Sequence, residues 1–163
     1  MILGLSTSAF TLIHVAISLI AIVSGLVVTF GMIAGNRMDK LTVLFLITTV
    51  ATSLTGFAFP NEHLTPGIIV GIISMVVLII ATVARYAMKL AGAWRWIYVV
   101  DAVIALYLNV FVLIVQSFQK VSALKALAPH GNEPPFAIAQ GVVLVVFIVL
   151  GVLSVKKFHT DSN

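Results

Sequence analysis

LTVLFLITTVATSLTGFAF, Leu41 to Phe59, is the stretch on which the fold turns. It comes close to the roughly 20 mostly apolar residues that a membrane-spanning helix needs. Yet it carries Thr42, Thr48, Thr49, Thr52, Ser53 and Thr55. Around it lie four runs whose apolar character is plainer: Phe10 to Ile33, Gly67 to Lys89, Trp96 to Phe118 and Phe136 to Val155. Whether the threonine-rich run crosses with them fixes the number of spans and the side on which every connection lies.

Charge decides the question. With five crossings, Arg37, Lys40, Arg85, Lys89, Arg95, Lys156 and Lys157 share one side, and Lys120 and Lys125 take the other. That asymmetry is what the positive-inside rule expects of a cytoplasmic face. If the second run fails to cross, Arg37, Lys40, Lys120 and Lys125 oppose Arg85, Lys89, Arg95, Lys156 and Lys157, and the bias vanishes. The reading is therefore an all-α bundle of five transmembrane helices in one domain, residues 1–163, with the N-terminus outside and the C-terminus in the cytoplasm.

Composition points the same way. The 163 residues are 61% hydrophobic and 9% charged, whereas soluble domains carry about 25% charged residues. Lipid must be the solvent for most of the surface. The formal charge of +4 is dispersed among the connections, so it reads as orientation signal and no nucleic-acid partner is expected. With no cysteine, disulfides, thiolate metal sites and cysteine nucleophiles are excluded. The first run lacks a basic leader and exceeds the usual apolar core of a signal peptide, so it reads as a retained helix.

Gly35-Asn36 and Pro60-Asn61 punctuate the first two connections, and Pro129, Gly131, Pro134 and Pro135 make the last one irregular. Trp94, Trp96 and Tyr98 stand where the fourth helix leaves the interface and read as depth anchors. The tail from Phe158 to Asn163 is short and polar and reads as disordered.

Small and polar residues mark the faces along which membrane helices meet. Helical spacing aligns His14, Ser18, Ala21 and Gly25 on the first helix, and Gly67, Gly71, Ser74 and Thr82 on the third. Arg85 and Asp101 stand at matching distances along the chain from the turn joining the third and fourth helices. An antiparallel hairpin sets them at similar depth, where a charge is costly unless paired, so a structural ion pair is expected between them. The fourth helix also carries a polar line, because Asp101, Ala105, Asn109, Val112, Gln116 and Gln119 recur at three- and four-residue steps.

The outer side is the richer one. Topology puts His14, Glu62, His63, Gln116 and Gln140 near one depth, with His130 and Glu133 in the long loop. Those five residues are the candidate ligand-binding set, and His14, an imidazole within an apolar run, is its centre. The bland alternative for His14 is a neutral ring hydrogen-bonded to Gln140 or to a carbonyl. The sharper ones are a contact to a quinone, a proton carrier, or an axial ligand of b-type haem with His63 as the second. No other metal site, no catalytic residue, no phosphate loop and no hydrolase elbow is found.

Two stretches, LYLNVFVLIVQSFQKV from Leu106 to Val121 and EPPFAIAQG from Glu133 to Gly141, resemble a group of uncharacterised small bacterial integral membrane proteins. The HVAISLIAIVSGLVV run beginning at His14 and the TSLTGFAFP run ending at Pro60 share the resemblance. It covers most of the chain and implies a shared fold in a bacterial inner membrane, and nothing about chemistry. The pattern HVxxSLxxIxSG from His14 to Gly25 also resembles, faintly, small membrane haem and redox proteins.

Three functions compete on this reading. One is a non-enzymatic protein in the lipid bilayer, either an accessory subunit beside other membrane proteins or copies of itself, or a bundle binding a small ligand around His14. Another is a redox protein holding haem or quinone. The third is an oligomeric proton-coupled transporter or channel using Asp101, Asn109 and Gln116.

Overall fold

The computed structural model describes residues 1–159. Its helices are α1 Thr7–Ile33, α2 Asp39–Phe57, α3 Pro66–Thr82, α4 Ala93–Lys120, the short α5 Ser122–Leu127, and α6 Pro134–Lys157. A π-helical turn, Val83–Ala87, extends α3. Five of these helices are long and apolar enough to cross a membrane, and the chain is a small multi-pass integral membrane protein. The connection expected to be irregular contains the short helix α5.

The helix ends are chemically marked. The Ser6 hydroxyl accepts from Ala9 N–H at 3.2 Å, and the Thr65 hydroxyl accepts from Ile68 N–H at 3.3 Å with Pro66 beginning α3. Each supplies one of the first-turn donors with a partner. Pro134 begins α6, and Lys156 and Lys157 occupy its last turn, where positive charge complements the helix dipole.

The threonines of α2 explain how a polar-looking run forms an apolar helix. The hydroxyls of Thr48, Thr49, Thr52 and Thr55 each donate to the carbonyl four residues back, at 2.6 to 2.8 Å. Such back-bonding satisfies the hydroxyl inside its own helix, so lipid or a neighbouring helix meets mainly methyl groups.

α4 is the central helix, packed against α1, α2, α3 and α6. Tyr98, Val99, Ala102, Ala105 and Leu106 on it are essentially inaccessible. Gly25 lets α1 approach closely: a methyl there would lie 2.7 Å from Leu106 Cδ1 and 2.8 Å from Phe45 Cε2. Gly71 plays the same part on α3, with Phe57 Cε1 at 2.6 Å from the same position. The expected interior stripes thus hold at Ala21, Gly25, Gly71 and Ser74, while Gly67 and Thr82 are exposed. Outside, Leu12, Ile47, Ile72, Val76, Val145 and Ile148 are all exposed, an apolar exterior suited to lipid.

The tail departs from expectation. Phe158 is fully buried, its ring 6.1 Å from that of Tyr98, and the Arg95 guanidinium donates to its carbonyl and, at 3.0 Å, to that of Val155. An aromatic just past the final lysines finds a partner in the core, so order extends beyond the helix. The rest of that expectation, residues 160–163, lies outside the described residues.

Candidate functional site

The polar groups within the bundle fall into separate clusters, and the tightest surrounds Arg85. The π turn places Ala84 and Arg85 inward together, and Met88 N–H closes it on the Val83 carbonyl at 2.9 Å. π turns of this kind recur at functional positions. Arg85 is 3% exposed. Its Nη2 donates to the Asp39 carboxylate and, at 3.4 Å, to the Arg37 carbonyl. Its guanidinium carbon sits 5.1 Å from the centre of the Tyr98 ring and 5.8 Å from that of Tyr86. Arg37 Nε reaches the same Asp39 oxygen at 3.4 Å. Arg85 Nη1 and the Tyr98 hydroxyl are buried without hydrogen-bond partners.

This corrects the pairing expected from the sequence: the carboxylate on Arg85 is Asp39, at the start of α2, and not Asp101. Matching distances from the turn did not bring facing surfaces. Arg85 points at Tyr98, and Asp101, three residues further on, is turned about 60° away around α4. Asp101 is half-buried and forms no ion pair or side-chain hydrogen bond among the described residues.

His14 lies at the other end of the bundle, between α1 and α2. Its Nδ1 is 2.7 Å from Thr55 Oγ1, and its ring meets Phe59 edge-on at 5.3 Å. The single Thr55 hydroxyl proton is already directed at the Ala51 carbonyl, 2.7 Å away. With that proton directed at the carbonyl, the tautomer that fits donates from His14 Nδ1 to Thr55 and keeps the lone pair on Nε2. The expected alternative partner, Gln140, is engaged elsewhere: its Nε2 donates to the Phe111 carbonyl at 3.2 Å, tying α6 to α4, and its Oε1 is buried without a partner.

The remaining candidates scatter. Glu62 and His63 are exposed in the connection between α2 and α3, and Gln116 and Gln119 are exposed on α4. Asn109 is buried and donates to Thr49 Oγ1 at 3.4 Å. The polar line of α4 therefore spirals from half-buried to buried to exposed and does not keep to one path. In the long loop, Glu133 accepts from the backbone N–H of His130 at 2.9 Å and of Asn132 at 3.1 Å, with His130 Nδ1 at 2.8 Å. Desolvation pushes the Glu133 carboxyl up, but those hydrogen bonds outweigh it and hold the group at about 2.

Two apolar grooves indent the sides of the bundle. One, of about 400 Å³, lies between α2 and α3 and is lined by Val43, Leu46, Ile47, Val50, Thr82 and Tyr86. The other, of about 190 Å³, runs between α4 and α6 past Tyr107, Phe147 and Gly151. Neither is lined by any of His14, Glu62, His63, Gln116 or Gln140. Asp39 and Arg95, which hold Arg85 and the carbonyls of Val155 and Phe158, carry no sequence pattern that marks them as partners; an acid opening a helix shortly after the Gly35-Asn36 turn is the one signal for Asp39. The chain matches no family model, no curated protein and no solved structure.

Proposed function

We propose that the protein is a non-catalytic accessory subunit of a membrane assembly, set in a bacterial cytoplasmic membrane with its N-terminus outside. One observation carries this reading: Asp101, within a spanning helix, has no side-chain partner among the described residues. An acid within a span is costly unless something meets it, by up to about 3 kcal/mol at the membrane centre. His14, Asn109 and Gln140, also within the spans, each have a partner inside the bundle. Asp101 is half-buried, between Tyr98 and Ala105, which are inaccessible, and Ile104, which is 36% exposed, so it sits at the border between the packed and the open side of α4. A basic or hydrogen-bonding side chain from another membrane helix reaches it there. The distribution of basic residues supports the orientation, and the resemblance to small bacterial membrane proteins supports the compartment.

The test is the mass of the complex extracted from the native membrane in mild detergent, measured by native mass spectrometry. The wild-type chain is expected in a species larger than 17.4 kDa, and Asp101→Asn is expected to release it as a monomer. A wild-type chain found only as a monomer defeats the proposal.

A second reading, haem or quinone at His14, is favoured by the contact of Nδ1 with Thr55 Oγ1 at 2.7 Å: a histidine held through Nδ1 turns Nε2 toward iron or a quinol. Colourless protein after haem-supplemented expression, with no Soret band, removes the haem version.

A further inference from the structure

We propose that the groove between α2 and α3 is a site for an anionic phospholipid, with an acyl chain lying in the groove and the phosphate held by Lys40 and Lys89. The groove is apolar along its length and open on the side of the bundle. Its one hydroxyl-bearing aliphatic residue, Thr82, donates to the Leu78 carbonyl at 2.7 Å, so it offers the groove little unmet polarity. About 400 Å³ falls within the usual range of small-ligand sites.

Charge at one end of the groove selects the occupant. On α2, Lys40, Val43, Ile47 and Val50 recur at three- and four-residue steps and share a face. The stripe that lines the groove therefore ends, one turn toward the C-terminal face, on a lysine. On the opposite wall Thr82 and Tyr86 line the groove, and Lys89 follows in the turn after the π turn. Lys40, Tyr86 and Lys89 are all exposed. Tyr86 is an amphipathic aromatic of the type that settles at headgroup depth. The nearby acid, Asp39, is already engaged by Arg85 and Arg37 and does not neutralise the two lysines. A basic pocket between spanning helices, next to an apolar furrow, fits a lipid phosphate with its chain attached. A zwitterionic lipid has the same chain and lacks the net charge.

The test compares dioleoyl phosphatidylglycerol with dioleoyl phosphatidylcholine, titrated onto the purified full chain and read by native mass spectrometry. Wild type is expected to retain phosphatidylglycerol preferentially. Lys40→Gln and Lys89→Gln should each weaken it about fivefold, the factor equivalent to roughly 1 kcal/mol per basic residue near a lipid surface. Lys125→Gln, at the opposite end of the bundle, should leave retention unchanged. Ile47→Trp, which fills the groove from an exposed position, should exclude the lipid while helical circular dichroism stays as in wild type. Equal retention of the two lipids by wild type overturns the proposal. So does undiminished phosphatidylglycerol binding in the double lysine variant or in Ile47→Trp.

Discussion

Arg85 on the π turn that ends α3 is joined to Asp39 on the first turn of α2, yet the two partners live in different surroundings. The arginine side chain is 2% exposed and the aspartate 67%. Water screens the carboxylate end of the pair, which keeps the Coulombic gain small. The arginine end is fixed mainly by burial over the Tyr98 ring. Asp39→Asn should therefore cost no more than about 1 kcal/mol. Arg85→Ala removes the cation from the ring and two donors from their acceptors, and should cost roughly 2–4 kcal/mol. Arg85→Lys should fall between, because an ammonium keeps the charge and loses the planar fork. Unfolding midpoints in mixed micelles rank the three. Equal losses for Asp39→Asn and Arg85→Ala would show that the ion pair dominates after all.

Gly25 offers a cleaner test of packing. An alanine methyl there meets Leu106 and Phe45 at distances no real contact allows, and both neighbours are core residues with little room to move. Overpacking of this kind costs about 1–3 kcal/mol. Gly141 on α6 has open space around the same position, so Gly141→Ala should be neutral or slightly stabilising, since alanine is the better helix former. Comparing the two variants by thermal unfolding in detergent separates steric conflict from helix propensity. Similar destabilisation in both variants would sink the close-approach account.

These two sites also show what could be read without coordinates. The glycine and hydroxyl stripes follow from helical periodicity, which depends only on residue spacing, and Ala21, Gly25, Gly71 and Ser74 lie where it puts them. The five spans follow from length and apolarity. Pairing between helices has no such periodic signature. The matching distances of Arg85 and Asp101 from the turn between α3 and α4 are legible in the spacing, but the rotation of each helix is not, and Arg85 itself lies in a π turn. His14 was singled out for its chemistry; its partner, Thr55, was hidden among hydroxyls that looked like a defect in α2. The pocket expected around His14 rested on depth alone, and His14 and Gln140 are bonded in different helix interfaces.

The loop before α6 should respond to acid. Glu133 titrates at about 2 in the folded chain against 4.5 for the free group. A depressed carboxyl contributes to order that is complete above about pH 4.5 and is lost as the pH falls toward 2. The protection of the His130 and Asn132 amides, whose N–H groups donate to this carboxylate, should fall through that window when exchange is measured against the intrinsic rate at each pH. Glu133→Gln should show faster exchange at neutral pH and no acid transition. If the protection factors of the two amides stay the same from pH 6 to pH 2.5 in the wild type, the carboxylate does not hold the loop.

The C-terminal anchor is the last feature that can be probed by substitution. Phe158 is fully buried, its N–H donates to the Ser154 carbonyl at 2.9 Å, and the Arg95 guanidinium closes over the carbonyls of Val155 and Phe158. Deleting a buried phenylalanine side chain costs about 3–5 kcal/mol in a core that cannot collapse around the gap. Position 158 lies just past a helix end, where the chain relaxes more easily, so Phe158→Ala should sit at the lower end of that range. Arg95→Gln removes a charged donor from two carbonyls and should cost roughly 1–3 kcal/mol. Because Arg95 holds the segment that seats Phe158, the double variant should lose less than the sum of the two. Strict additivity in urea unfolding would mean that the arginine and the aromatic act independently, and a neutral Phe158→Ala would mean that the end of the chain is not seated in the core.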